Sequence, residues 1–210
     1  MLDPGFIAGL ALQCAPHAAA ETLVAIAYTE SRFDPLAIGV NAGPRLRQRP
    51  RNAAGAAQEA RRLIAAGFSI DLGLAQINSA NLDWLGLTIE DAFDPCRNLA
   101  AAATVLNAGY RPRSNRPEDR QAALRMALSR YNTGHPERGV RNGYVARVEA
   151  AAIRFSRGAS RPAASFQIAS VTDPTPAPVP AAWDVFARAS SMTTTVFLSA
   201  PLPAGTRKIP

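Results

Sequence analysis

The chain has 210 residues, of which 48% are hydrophobic, 19% charged and 7% aromatic, and its formal net charge is +7. No run of eighteen apolar residues occurs, so no transmembrane helix is expected, and His17 and His135 lie too far apart, without ligand-spaced partners, to suggest a metal site. The charge is almost all arginine, Lys208 being the lone lysine; it suits an acidic or polyanionic surface such as nucleic acid, anionic lipid or cell wall, and equally a plain bias toward Arg and Ala.

In chain order, residues 4–30 have helical character broken by Pro16, which predicts one helix over about 4–13 and a second over 17–31. The start carries no Lys or Arg before Arg32 and so lacks the basic region of a secretory signal; the reading is that export runs differently or that the start is trimmed or misassigned. A loop follows with Gly39, Gly43, Pro44 and Pro50, bearing Arg45, Arg47, Arg49 and Arg51. Asn52 is placed to cap a helix over 53–66, with Ala56, Ala60, Leu63 and Ile64 inward and Gly67 as its stop. The run DLGLAQINSANLDWLGL reads as a turn leading into a short helix. Pro95 marks a boundary before a helix over 97–109, and Leu124, Ala127 and Leu128 define an amphipathic helix over 118–130. YNTGHPERGVRNG reads as a loop, and a last helix spans 143–156. The fold class is therefore mainly α, one helical domain over 1–157. Residues 158–210 are Pro/Ala-rich, with DPTPAPVPAA at their centre, and read as a largely disordered tail.

One residue in this plan is out of place. On the helix over 17–31, Leu23, Ile26, Ala27 and Glu30 fall at i, i+3, i+4 and i+7, so Glu30 shares the core-facing stripe near the helix C-terminus. Desolvation and the negative end of the helix dipole both disfavour its ionised form, and both raise its pKa. A carboxyl held protonated near neutral pH can give a proton to a leaving oxygen. The spacing alone is equally that of a capped or salt-bridged glutamate paired with Arg32 or another arginine.

Three segments decide between these. YTESRFDPLAIGVN around Glu30 resembles the catalytic-glutamate segment of the lytic transglycosylases, a goose-type-lysozyme-like family. LGLAQIN, residues 72–78, is similar to that family's second motif with Ala75 in place of a methionine, and SRYNTG, residues 129–134, to its third. QCAP near the start and AFDPCRNL in mid-chain sharpen the likeness to the VirB1-like members of type IV secretion systems. The resemblance covers about residues 10–155. It implies a lysozyme-like helical domain with a small loop or hairpin region, a disulfide between Cys14 and Cys96, and cleavage of the β-1,4 bond of peptidoglycan without water, leaving a 1,6-anhydromuramyl end. That reaction asks for one carboxyl acting first as acid and then as base, whereas most glycoside hydrolases need two at a set separation.

Carried over by matching, Glu30 is the catalytic acid/base, and Ser31 hydrogen-bonds substrate or orients Glu30. Gln76 and Asn78 offer amides to N-acetyl and hydroxyl groups, with turn stabilisation the alternative for Asn78. Tyr131 bonds Glu30 or the sugar, Asn132 holds the loop or the substrate, and Tyr144 packs beside them, chiefly as core. Asp34 precedes Pro35 and shapes a turn; Asp71, just before the second motif, is less easily set aside as a second catalytic carboxylate. No cofactor or metal is expected. The implied partners are peptidoglycan strands and, through the tail, other type IV secretion components. Nucleic acid is not among them, since the arginines are spread over many segments. The implied location is the periplasm.

Overall fold

The Asp3 side chain accepts hydrogen bonds from the N–H groups of Gly5 and Phe6, and Pro4 follows it, so helix α1 (Pro4–Cys14) starts with a cap and a proline where both are favoured. The structure, a computed structural model, describes residues 1–159 apart from positions 44, 45 and 47. Pro16 and the turn closed by Ala18 N–H on the Ala15 carbonyl delay the second helix, α2 (Ala20–Ser31), by three residues relative to the sequence expectation. Helix α2 is buried on every side over Thr22–Ala27 and packs against α1, α5 (Pro95–Gly109) and α8 (Tyr144–Ala159). A helix apolar all round is a central helix.

After α2 the chain forms β1 (Ile38–Val40), α3 (Ala53–Ala65), β2 (Ile70–Leu72) and β3 (Ile77–Asn78). Asn52 caps α3 through the Gly55 N–H at 2.8 Å. The strands form an antiparallel sheet in the order β1-β2-β3. Its register aligns Gly39, Asp71 and Asn78 in one row and Ile38, Leu72 and Ile77 in the next. Since alternate residues face opposite sides of a strand, the second row joins the core and the first turns away from it; Leu72 is fully buried. A short helix α4 (Leu82–Leu85) follows, then α5, with Asp94 capping through the Arg97 N–H and Pro95 as first residue, two positions earlier than expected.

Helix α6 (Pro117–Thr133) runs into the segment read as a loop, and a further short helix, α7 (Arg138–Arg141), lies within that segment. The reason is tertiary. The hydroxyl of buried Ser129 donates to the His135 carbonyl at 2.7 Å and accepts from the Gly139 N–H at 2.8 Å, folding the segment back onto α6. A Cβ at position 139 would stand 2.6 Å from the Ser129 Cα, so only glycine permits this approach.

The described residues thus form eight helices around a core centred on α2, with one small sheet at its side. A disulfide joins Cys14 at the end of α1 to Cys96 at the start of α5, with a Cα separation of 5.5 Å and a sequence separation of 82. Tyr28, Phe33 and Phe155 pack in tilted and edge-to-face pairs, with ring centroids 5.0–5.4 Å apart, where α2 meets α8. Among the described residues, no helix is long and apolar enough to cross a membrane. The Pro/Ala-rich tail expected over 158–210 lies outside the described residues from position 160 onward, as do Arg45 and Arg47 of the loop after β1.

Candidate active site

Helix α2 leaves the core at its C-terminal end. Its last turn carries Glu30, and Arg32 ends it in the left-handed conformation at φ 56°. Glu30 opens on a cleft of about 450 Å³ between the sheet and the α5–α6 pair. One wall is the outward row of the sheet, with Asp71 and Asn78, extended by Asn81 and Trp84. The other is formed by Val105 and Ala108 of α5 and by Arg130, Tyr131 and Asn132 of α6.

The Tyr144 hydroxyl donates to Glu30 Oε1 at 2.6 Å. Glu30 is nonetheless raised from its ordinary 4.5 to about 7. Desolvation is the main cause, the hydrogen bond from Tyr144 works against it, the charge of Asp71 adds to it, and Arg147 opposes it. Burial and the adjacent Glu30 push both Tyr131 and Tyr144 well above the ordinary phenol value, so both stay neutral donors. Asp71 is also raised, by burial, and is partly held ionised by hydrogen bonds from the side chains of Asn78 and Asn41. The site therefore contains one carboxyl poised to exchange a proton near neutral pH, faced by a second carboxyl whose burial is offset only in part by amide hydrogen bonds.

The motif residues divide into those in the cleft and those that build its floor. The Ser31 hydroxyl lies 2.6 Å from the Leu74 carbonyl and 3.1 Å from that of Ala27, and accepts from the Asp34 N–H; it clasps the second motif to the end of α2. The Tyr131 hydroxyl donates to the Ala75 carbonyl at 2.7 Å rather than to Glu30. Ala75 is fully buried beneath the cleft, not exposed on it. Gln76 lines the cleft, and its amide N–H groups hold the Gly73 and Ala37 carbonyls at 2.8 and 3.2 Å. Asn78 caps the Ala80 N–H and donates to Asp71 at 2.7 Å. Asn132 Oδ1 accepts from Asn142, whose own Oδ1 accepts the Tyr144 N–H at 2.9 Å, so Asn132 steadies the start of the helix that carries the tyrosine on Glu30.

Further residues shape the site without having been given a role from motif or spacing. Asn98, fully buried on α5, accepts from the Ala75 N–H at 2.7 Å and donates to the carbonyls of Leu72 and Ala92 at 3.0 and 2.7 Å. With every polar atom satisfied, it fixes the turn before Gln76. Gly73 in that turn has φ 74°, and a Cβ there would strike Ala92 and Asn98. Trp84 is 53% exposed in the cleft, with its indole N–H on Asn81 at 3.1 Å. Arg130 stands on the opposite wall. Asn98 lies in AFDPCRNL and Arg130 in SRYNTG, but neither segment assigned them a role; Trp84 lies in none of the family segments.

The sequence model of the family described as the transglycosylase SLT domain matches residues 10–152. The chain belongs to this family. The matched span holds Glu30, Asp71, Gln76, Tyr131 and Tyr144, so the cleft and the glycan-cleaving SLT domain coincide. The SLT chain is 47% identical over 143 residues to the "Protein virB1" of Agrobacterium fabrum, covering 68% of this chain and 57% of that protein. It is 41% identical over 149 residues to the "Type IV secretion system protein virB1" of Brucella abortus, covering 68% and 62%. The chain thus spans less than two thirds of the length of these relatives. No solved structure matches it. Among the described residues, no cluster of His, Cys, Asp and Glu could hold a metal ion.

Proposed function

We propose that this SLT domain is a peptidoglycan lytic transglycosylase that opens the cell wall locally for a type IV secretion or conjugation apparatus. The observation that carries this is a single cleft carboxyl, Glu30, raised to about 7 and held on one oxygen by Tyr144. Glu30 gives its proton to the glycosidic oxygen as the bond from the muramyl anomeric carbon breaks. The resulting carboxylate then takes the proton of the muramyl 6-hydroxyl as that oxygen bonds to the same carbon. The product is a 1,6-anhydro end, and Glu30 is again protonated. A pKa near the working pH suits a group that acts in both directions. Exposed Trp84 supplies an apolar face for a sugar ring, while Gln76 and Asn78, whose amides hold backbone groups and Asp71, shape the cleft wall around it.

The Cys14–Cys96 bridge supports an oxidising compartment, and with a peptidoglycan substrate this means the periplasm. The likeness to the virB1 proteins supports service to a secretion apparatus, with the residues after α8 as the contact to other components. A second reading is hydrolysis with Asp71 directing water, which its place in the same cleft favours. Mass spectrometry of the soluble products from purified peptidoglycan separates the two. Anhydromuramyl ends, absent with Glu30→Gln, are expected; reducing ends would turn the mechanism to hydrolysis. No product from either protein would overturn both.

A further inference from the structure

Arg130 is the one cationic side chain lining the cleft among the described residues. It makes no ion pair with a described residue. Its Nη1 donates to the Gly109 carbonyl at the end of α5, 3.3 Å away, which ties the guanidinium to the helical wall. One contact of five possible N–H donors leaves a fixed, partly buried fork with capacity to spare. Asp71 places a carboxyl on the sheet wall, so a negatively charged substituent on a bound chain is disfavoured there and favoured beside Arg130 on the facing wall.

A peptidoglycan strand carries such a group. Each muramyl residue bears at C3 a lactyl ether that ends in a carboxylate when bare, and in an amide-linked acidic peptide when substituted. We propose that Arg130 binds a carboxylate on the C3 substituent of a muramyl residue and so selects muramyl-containing strands, and their register, over neutral β-1,4 glycans. This rests on the peptidoglycan reading above. Guanidinium–carboxylate pairs combine charge with bidentate geometry, which suits a selector.

The test is binding without turnover. The full chain carrying Glu30→Gln is titrated with three oligosaccharides of equal length: peptide-bearing muramyl glycan, muramyl glycan with free lactyl carboxylates, and chito-oligosaccharide, which has no carboxylate. The same series is run with Arg130→Gln and Arg130→Lys added, each checked by thermal unfolding. Arg130→Gln should weaken a carboxylate-bearing ligand by about tenfold relative to the chito-oligosaccharide, as expected for one charge-assisted hydrogen bond, and Arg130→Lys should recover part of the loss. A loss confined to the peptide-bearing ligand assigns the peptide carboxylate; a loss with the free lactyl ligand assigns the lactyl group. Equal weakening of all three ligands, or of none, overturns the inference. Cleavage by the wild type with no Arg130-dependent preference sinks this inference alone; the preference without cleavage sinks the proposed reaction alone.

Discussion

The Tyr144 hydroxyl lies 2.6 Å from Glu30 Oε1, joining the first residue of α8 to the last turn of α2 across 114 positions. The bond favours the carboxylate, and burial outweighs it. Removing it with Tyr144→Phe should therefore raise the Glu30 pKa further and move the alkaline limb of the pH–rate profile upward. Activity should fall by about tenfold through lost positioning, in line with a hydrogen bond to a charged group. An unshifted limb would show that Tyr144 does not act on the titrating acid.

As the proton donor, Glu30 must be protonated, so activity should decline as pH rises through about 7. The same elevated pKa sets a stability trend. The folded chain keeps a proton that the unfolded chain releases above 4.5, so the favourable contribution is complete below pH 4.5 and is lost as pH rises through about 7. Holding the ionised form then costs about 3 kcal/mol. Glu30→Gln should abolish cleavage and stabilise the protein at pH 8 by roughly 1–3 kcal/mol, with a smaller gain at pH 5. Denaturant unfolding of both proteins at the two pH values measures this, and an equal gain at both would contradict it.

Asp71→Asn removes a charge that raises the Glu30 pKa. The alkaline limb should move to lower pH. Under the transglycosylase reading the anhydro product persists at a reduced rate, because no second carboxylate takes part in the bond changes. A loss as complete as that of Glu30→Gln would favour hydrolysis.

The Cys14–Cys96 bridge closes a loop across a sequence separation of 82. Chain entropy alone puts its contribution at about 4.5 kcal/mol. Replacing both cysteines by serine, or adding a reductant, should lower the unfolding midpoint accordingly; thermal melts with and without reductant read it directly. The contrast should vanish in the double-serine protein.

Asn98→Ala should be among the most damaging single changes outside the cleft. It leaves the Ala75 N–H and the Leu72 and Ala92 carbonyls without their buried partner, at a cost of about 3 kcal/mol or more. Since the turn it fixes leads into Gln76, activity at a permissive temperature should fall as well. Thermal unfolding combined with product yield tests both parts.

The sequence by itself determined what short-range physics controls. Spacing on one helix placed Glu30 at the end of an apolar run, Asn52 and Pro95 marked helix starts, and three short segments identified the family. These signals depend on residues within a turn or two of one another. Tertiary structure alone decided which distant groups meet. It put Tyr144 rather than Tyr131 on Glu30, turned Ser31 to the Leu74 carbonyl, made a helix of 138–141 through Ser129, and set Trp84 and Arg130 on facing walls. Each of these contacts depends on how helices and strands pack, and packing is set by the joint shape of many side chains rather than by local spacing.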